Sequence, residues 1–551
     1  AQADLPAGSA VCMAAPHAAG GTAGPGCRLC FAAAVAIPAA PSASSSTSTG
    51  SATGAVNDPC PHDTDLSSYY ANVEFEPLVH GTFTKVRTIA DAIHGKVYEY
   101  SWDRTKPVAS AQAPLKELER AIEEVRDAME VNDKTALLQF LRELPNGGGL
   151  LRTALHTHGW NHNDFVRPVD LQLLYDDLDR NKKSLIAQIT DNMVVGKRMK
   201  RTKVRVNADF EVNGCLQHLR GNQRHPEDAM TEIGVLSYLR QQADLPVFLL
   251  RMLGVFLELD PEPYVTLTTE YVDSELFNIV TAGLVDFPED RLMRYTWQLL
   301  QATSYLHAHH IGHRDISLEN ILVNFGETID GQIRLMDFGQ AVSTHTPDGS
   351  VALRYFTPCG KNYYRPPECY LPVRIMPNGL KLGIVDVNVT APEGARPGQV
   401  LMRLLEERNP RTGVMGPNGY LAEVCLRPDV VPGNVCRAVI WGYTAMPVDV
   451  FSCGVALFIL AFRAPPWKMA TLGDKGFKYI TGAWAPDGHD SESAIRKMVH
   501  SWQKVPLSPS AMAVLSSMVH FDPARRPTVQ DCLGAAWFAP MAGVTVPTHF
   551  R

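Results

Sequence analysis

The sequence predicts an α+β fold, in which a first part rich in strands precedes a larger helical part. Two short apolar segments, Leu249–Leu257 and Tyr264–Thr269, have the length and composition of strands. Further along, Leu292–His307 carries apolar residues at helical spacing, and Val455–Phe462 fits a buried helix. The uninterrupted apolar runs fall short of the roughly 18 residues that a membrane-spanning helix needs, so we expect no membrane span.

Composition narrows the classes of partner and compartment. The chain has 551 residues, 45% of them hydrophobic, and a net charge of −7. This balance suits a globular protein and offers no basic surface to nucleic acid, so we expect no nucleic-acid partner. The eleven cysteines are scattered and odd in number, which predicts reduced thiols and an intracellular, cytoplasmic location. The first residue is Ala, which leaves room for a targeting segment before it.

The part of the chain before residue 166 divides into a tail and a module. Residues 1–66 are rich in Ala, Ser, Thr, Gly and Pro. Such a segment buries too little apolar surface to fold, so we predict disorder. Residues 67–165 are predicted to form an accessory α/β module of unknown role. Its predicted strands and helices are Phe75–Val79, Thr84–Ile89, Lys96–Trp102, Leu115–Met129, Lys134–Leu144 and Leu150–His156.

Three motifs between His313 and Glu368 carry the chemistry. They are His313-Arg-Asp-Ile-Ser-Leu-Glu-Asn320, Asp337-Phe-Gly and Gly360-Lys-Asn-Tyr-Tyr-Arg-Pro-Pro-Glu368. Transfer of a phosphoryl group needs metal ions on the phosphates and an oriented hydroxyl rather than covalent help from the protein. An Asp on a loop, an Asn five residues later and a second Asp before Phe-Gly can provide these groups.

Together the motifs resemble the catalytic core of the eukaryotic protein kinases. The resemblance implies a bilobal protein-kinase fold, divided into a β-rich N-lobe (166–272), a large helical C-lobe (273–540) and a tail (541–551). It also implies transfer of phosphate from ATP to serine or threonine hydroxyls of protein substrates, with Mg²⁺. In that scheme Asp315 orients and deprotonates the acceptor hydroxyl, while Asn320 and Asp337 hold Mg²⁺.

The lysine that contacts the ATP phosphates has two candidate positions. The sequence Val-Val-Gly-Lys197-Arg-Met resembles the lysine-bearing strand of the kinases. Lys197 would then pair with Glu232 on the following helix, with Glu227 as the rival carboxylate. The alternative places a glycine loop at Val79–Val86 and Ser101 in the position of the lysine, and it demands a long insertion afterwards. We favour Lys197.

Upstream of Lys197, Leu171–Tyr175 and Ser184–Thr190 are predicted as the first two strands of the N-lobe. The segment between them, Asp176–Lys183, contains no glycine. Kinases use glycines there because backbone N–H groups must approach the phosphates closely. This departure raises a second hypothesis, a pseudokinase that acts as a binding or scaffolding module. A kinase of small molecules fits less well, because Pro-Pro-Glu368 belongs to protein-kinase architecture.

The resemblance also assigns a hinge and a regulated segment. Glu270-Tyr-Val272 is similar to the hinge that binds adenine, so Glu270 and Val272 are expected to contact ATP. Arg314 resembles the arginine of kinases that are switched on when the activation segment, here 337–368, is phosphorylated. An upstream kinase is therefore an expected partner, with candidate sites at Ser343, Thr344, Thr346, Ser350 and Thr357.

An insertion of about 373–445 separates Glu368 from the helix that starts near Asp449, where the family has a short link. Inside it, Val389–Val400 returns as Cys425–Val435, each with a Pro-Gly turn. This repeat predicts a β-rich unit, and we expect that it can be removed without unfolding the domain. Beyond it, Arg526 is expected to pair with Glu368.

Two positions of the site are exchanged relative to most serine/threonine kinases. The residue two after the catalytic Asp is usually Lys, and a Thr usually follows the Gly of the activation segment. Here these residues are Ser317 and Lys361, so an ammonium is lost at one position and gained at the other. We predict that Lys361 enters the site from the activation segment, because a lysine stem is long and flexible, and that Ser317 hydrogen-bonds nearby. The alternative is that Lys361 points to solvent and that Ser317 is only tolerated at its position.

Overall fold

The computed structural model describes residues 73–549 apart from a set of gaps. The gaps are 74, 79–80, 103–108, 132, 144–149, 162–163, 166–167, 191–192, 205–227, 259–261, 273, 284–286, 325–330, 347, 357, 372–385 and 483–489. The predicted disorder of residues 1–66, the rival Glu227 and the candidate site Thr357 lie outside the described residues.

The N-lobe contains one six-stranded sheet that starts far upstream of the predicted boundary at 166. In chain order, its elements and the helices inserted among them are β1 (Phe75–Pro77), β2 (Phe83–Ala92), β3 (Gly95–Trp102), α1 (Ala109–Val131), α2 (Thr135–Glu143), α3 (Leu150–Thr157), β4 (Trp160–Asn161), β5 (Asp164–Phe165), α4 (Leu171–Thr190), β6 (Met193–Lys200), α5 (Ala229–Arg240), β7 (Met252–Glu258) and β8 (Tyr264–Glu270). The spatial order of the strands is β1-β7-β8-β6-β3-β2. Because β3 pairs with β6 from Gly95 to Ser101, residues 75–102 belong to the N-lobe. The prediction that they form part of a separate accessory module is wrong.

Helix α4 also corrects a prediction, because Leu171–Tyr175 and Ser184–Thr190 lie in this one helix rather than in two strands. Its apolar residues at the start follow the helical repeat: Leu171, Leu174, Tyr175 and Leu178. Leu174 and Leu178 are fully buried and belong to a core shared with Leu118 and Val125 of α1. Helices α1–α4 therefore form an insertion with its own core, located in the chain between β3 and β6. The glycine-free segment 176–183 is helical and is not a loop between two strands.

The C-lobe is mainly helical, as predicted. In chain order its elements are β9 (Ser274–Glu275), α6 (Leu276–Thr281), α7 (Glu289–Ala308), β10 (Ile311–Gly312), β11 (Ile321–Asn324), β12 (Gln332–Leu335), β13 (Val342–Ser343), β14 (Asp386–Thr390), β15 (Val400–Arg408), β16 (Met415–Leu426), β17 (Val435–Ile440), α8 (Ala445–Phe462), α9 (Lys475–Thr481), α10 (Ser491–Ser501), α11 (Pro509–Met518) and α12 (Val529–Leu533). Among the described helices, α8 alone is long and apolar enough to cross a membrane, and 83% of it is buried inside the protein. It contains the apolar run Val455–Phe462 that predicted a buried helix.

The described residues of the insertion between Glu368 and α8 form a closed four-stranded barrel, β14–β17. The repeated Pro-Gly turns occupy equivalent places in it, with Gly398 and Gly433 at φ of 74° and 78°, a conformation that favours glycine. The barrel is not self-contained, however. Its apolar core includes Phe356 and Leu371 from the activation segment and its end, so the predicted removal without unfolding does not fit this packing.

The chain end returns to the N-lobe. The backbone N–H of Val247 donates to Pro547 O at 3.0 Å, and the N–H of His549 donates to Leu245 O at 2.7 Å. The ring of His549 is buried, and its Nε2 lies 2.7 Å from Leu249 O. The segment predicted as a tail is therefore docked at its described end, on the connection between α5 and β7.

Candidate active site

The loop that carries Asp315 is anchored on the buried helix α8. Asp449 of α8 accepts hydrogen bonds from the backbone N–H of His313 (2.8 Å) and of Arg314 (2.7 Å). Arg314 has a φ of 64°, an unfavourable backbone conformation for a residue with a side chain. A buried carboxylate needs such donors. The two hydrogen bonds to Asp449 therefore hold the strained backbone at Arg314 in place, and this backbone sets the direction of Asp315.

Asp315 is buried and keeps one oxygen free of protein partners. Its Oδ2 accepts from Asn320 Nδ2 at 2.9 Å, whereas its buried Oδ1 has no hydrogen-bond partner among the described residues. Burial raises the pKa of the Asp315 carboxyl, Lys361 lowers it and the nearby Asp337 carboxylate raises it. A buried acceptor without a partner is costly in a folded protein, so this oxygen is suited to receive a ligand hydroxyl.

Asn320 and Asp337 present oxygen atoms of the kind that Mg²⁺ prefers. The Nδ2 of Asn320 donates to the backbone and side chain of Asp315, which identifies the opposite atom, Oδ1, as the acceptor, and this oxygen accepts from Lys361 Nζ at 3.1 Å. Met336 N donates to Asn320 O at 2.9 Å and so holds the two chain segments together. Asp337 has a φ of 66°. These residues would hold Mg²⁺, and the donor set fits this ion.

The residue after Asp337 is packed inward. Phe338 is fully buried, and its ring lies 5.1 Å from the ring of His313, centroid to centroid. In kinases the packing of this phenylalanine separates active from inactive arrangements. Asp337 itself lies near Glu232 and Asp315, and its charge adds to burial in raising the pKa of both carboxyl groups.

The structure places Lys197 and Glu232 in contact. Lys197 Nζ donates to Glu232 Oε2 at 2.6 Å, and both side chains are largely buried. Burial raises the pKa of the Glu232 carboxyl, while Lys197 opposes this shift. Asp228 is the N-cap of helix α5, and its carboxylate accepts from the N–H groups of Met230 and Thr231 and thereby positions Glu232. The alternative residue, Ser101, pairs with Met193 on β6, four positions away from Lys197.

The hairpin of β2 and β3 lies beside the strand that carries Lys197, and the favoured interpretation of the sequence did not place it there. Ala90, Val97 and Lys197 are direct neighbours across three strands, so they share one face of the sheet. A Cβ on Gly95 would lie 2.1 Å from Arg198 O. This glycine is therefore required by close strand packing. The strand–turn–strand pattern was visible in the sequence, but α1–α4 separate it from Lys197.

Glu270 and Val272 lie where β8 leads into the C-lobe. Glu270 Oε1 accepts from the backbone N–H of Arg251 at 2.8 Å and lies 3.5 Å from Arg334 Nε. Its carboxylate is thus engaged by these two arginines. Val272 is buried.

Arg314 is already surrounded by protein partners. Its Nε donates to Gln340 O and its Nη1 to the Tyr443 hydroxyl, each at 2.9 Å. Tyr443 follows the barrel and exchanges two backbone hydrogen bonds with Tyr355 of the activation segment. No local sequence pattern predicts this role of Tyr443, because the contact joins two segments that a long insertion separates. Among the candidate phosphorylation sites, Thr344 is buried and Ser350 is exposed.

The side chains of Lys361 and Ser317 are in contact. Lys361 Nζ donates to Ser317 Oγ at 2.8 Å and to Asn320 Oδ1 at 3.1 Å, and it lies 3.4 Å from Asp315 Oδ2. Ser317 is fully buried. The ammonium group from the activation segment therefore lies between the candidate base and the candidate metal ligand.

The part of the chain that holds this site is similar in sequence to known protein kinases. The model of the protein kinase domain family matches residues 194–375. The Aurora kinase of Schizosaccharomyces pombe is 45% identical over 82 residues, or 15% of this chain and 20% of the relative. The serine/threonine-protein kinase bur1 of Neurospora crassa is 30% identical over 210 residues, or 34% of this chain and 36% of the relative. The Aurora kinase of Yarrowia lipolytica is 38% identical over 120 residues, or 22% of this chain and 29% of the relative.

The chain thus spans between 20% and 36% of the length of these relatives. The matched segment begins at β6 and ends just before the barrel. It contains Lys197, Glu232 and all three motifs, whereas the β2–β3 hairpin lies upstream of it. Residues 194–375 are therefore similar in sequence to the protein kinase domain family.

Proposed function

We propose that the protein transfers the γ-phosphoryl group of ATP to serine or threonine hydroxyls of protein substrates. The observation that carries this proposal is the buried Oδ1 of Asp315, which lacks a partner among the described residues. It lies on a side chain that also contacts Asn320. A hydroxyl bound to this oxygen would be oriented for attack and could pass its proton to the carboxylate.

The other residues have roles that follow from their contacts. Lys197, held by Glu232, is placed to contact the α- and β-phosphates of ATP. The hinge at Glu270 and Val272 would contact adenine through its backbone. Mg²⁺, held by Asn320 and Asp337, would neutralise charge on the phosphates when bound. The lysine–glutamate pair and the inward Phe338 are the arrangement that catalysis in this family requires.

Substrates and regulation are part of the same proposal. The relatives named above as serine/threonine kinases support protein hydroxyls as acceptors. An upstream kinase would act on the activation segment at Ser350 or Thr346, whose hydroxyls hydrogen-bond Asp348, rather than at buried Thr344. An intracellular location agrees with the free cysteines in the described part of the chain.

The pseudokinase alternative has lost its main support, because the glycine-free segment 176–183 is helical. The test is transfer of labelled phosphate from Mg-ATP to generic protein substrates, with Asp337→Ala as the comparison. We expect clear transfer by the wild type and none above background by Asp337→Ala. Nucleotide binding without transfer by the wild type would favour the pseudokinase.

A further inference from the structure

We propose that Lys361, supplied by the activation segment, is the catalytic cation that contacts the transferring phosphoryl group, and that Ser317 holds it in place. This inference rests on the proposed phosphoryl transfer and adds the residue that stabilises its transition state.

The position of the ammonium group carries the argument. Its three partners are Ser317 Oγ, Asn320 Oδ1 and Asp315 Oδ2, at 2.8, 3.1 and 3.4 Å. Two of these oxygens belong to the candidate metal ligand and the candidate base. The transferring group passes between the metal ions and the acceptor hydroxyl, so a cation between Asn320 and Asp315 lies beside its path.

The backbone at Lys361 is fixed, whereas its side chain can adapt. Gly360 has a φ of 72°, and its N–H donates to Gln340 Oε1 at 2.9 Å. Arg365 donates to the carbonyl oxygens of Cys359 and Gly360. The Lys361 side chain itself is 39% exposed. A lysine on a fixed backbone with a flexible stem can keep its charge in the site and shift its donors to an incoming ligand.

Phosphoryl transfer needs a positive charge at this place, and Lys361 provides it without giving up a proton. The acceptor hydroxyl oxygen forms a bond to the γ-phosphorus as the bond from phosphorus to the bridging oxygen of ADP breaks. The hydroxyl proton passes to Asp315, and the electron pair of the broken bond leaves on ADP. Charge on the transferring oxygens is then met by the Lys361 ammonium, which stays protonated throughout.

The small side chain of Ser317 allows Lys361 to enter the site from the activation segment. A lysine at position 317 would project from the catalytic loop into the space that the Lys361 ammonium now occupies. The small hydroxyl of buried Ser317 leaves this space open and accepts a hydrogen bond from Lys361. Because Lys361 lies in the activation segment, the catalytic cation is present only while that segment is ordered.

The test compares wild type, Lys361→Met, the double variant Ser317→Lys/Lys361→Thr, and Lys497→Met on α10 as an exposed-lysine control. Lys361→Met keeps an apolar stem and removes the charge. We expect kcat to fall by about 10²–10³ in Lys361→Met, with KM for ATP nearly unchanged. The double variant should recover most of the activity, and Lys497→Met should match the wild type.

A binding measurement separates this role from a structural one. The affinity for Mg-ADP with aluminium fluoride, which imitates the transferring group, should fall in Lys361→Met, while the affinity for Mg-ADP alone should not. Wild-type kcat and analogue affinity in Lys361→Met would overturn the inference and leave the proposed function intact. A wild type no more active than Asp337→Ala would overturn the proposed function, and this inference with it.

Discussion

Arg526 and Glu368 form a doubly hydrogen-bonded ion pair although 158 residues separate them in the chain. Arg526 Nη2 donates to Glu368 Oε2 at 2.8 Å, and both side chains are almost completely buried. Arg526 also donates to the backbone oxygens of His520 and Pro447. The pair fastens the end of the activation segment to a part of the C-lobe that follows the barrel in the chain, as the sequence motifs predict.

Loss of one partner of this pair should be strongly destabilising. Glu368→Gln leaves the buried guanidinium without its counter-charge, and breaking such a pair typically costs about 3–5 kcal/mol. Denaturant unfolding should therefore show a lower free energy of unfolding, and the double variant Glu368→Gln/Arg526→Met should lose less than the two single changes added together. Strict additivity would mean that the two side chains are not energetically coupled.

Removal of the barrel should damage the domain. A short linker from Leu371 to Tyr443 in place of 372–442 would expose Phe356 and Leu371, which belong to the barrel core. We expect a lower midpoint of thermal unfolding and a less cooperative transition, because each side chain loses about 1.5–3 kcal/mol of burial. Val431→Thr, at a position 52% exposed on the barrel, is the control and should leave the midpoint unchanged. Wild-type cooperativity in the deletion variant would contradict the packing described here.

His549 should make the docking of the chain end sensitive to pH. Burial lowers the pKa of His549 from 6.5 to about 4, Glu270 opposes the shift, and Arg334 and Arg251 add to it. Between these two values the unfolded state binds more protons than the folded state, so stability falls as pH falls from 6.5 toward 4. At about 1.4 kcal/mol per pKa unit, the loss is roughly 3 kcal/mol.

Hydrogen exchange at Val247, whose N–H is bonded to Pro547 O, measures this loss directly. Exchange should speed up between pH 6.5 and 4, after correction for intrinsic rates, in the wild type. His549→Gln lacks the titrating ring and should flatten this dependence. An identical pH profile in both proteins would show that another group controls the docking.

Local sequence patterns were sufficient to predict those parts of the site whose functional residues lie close together in the sequence. The loop around Asp315, the turn at Asp337 and the lysine strand each carry their signal within a few residues. Their interpretation does not depend on what is inserted elsewhere. The swap of Ser317 and Lys361 could also be predicted, because two exchanged residues in two known motifs imply one shared contact.

Long-range topology limited the rest. The β2–β3 hairpin has an ordinary strand pattern, but α1–α4 separate it from β6, and only the sheet register joins them. The prediction of two strands within 171–190 failed because the short apolar groups there fit both the strand repeat and the helical repeat. The burial of both Leu174 and Leu178 agrees with the helical repeat. The contact of Tyr443 with Arg314 crosses the barrel and has no local signal.

The most direct test of the central claim is the rate of phosphate transfer from Mg-ATP by the wild type and by Asp315→Asn. Asn keeps the shape of the side chain but cannot accept the hydroxyl proton. The exposed Asp290→Asn on α7 serves as the matched control. We predict transfer to serine or threonine by the wild type and by the control, and a fall of about 10²–10⁴ in kcat for Asp315→Asn at unchanged affinity for ATP. Equal rates for wild type and Asp315→Asn would contradict the assignment of Asp315 as the catalytic base.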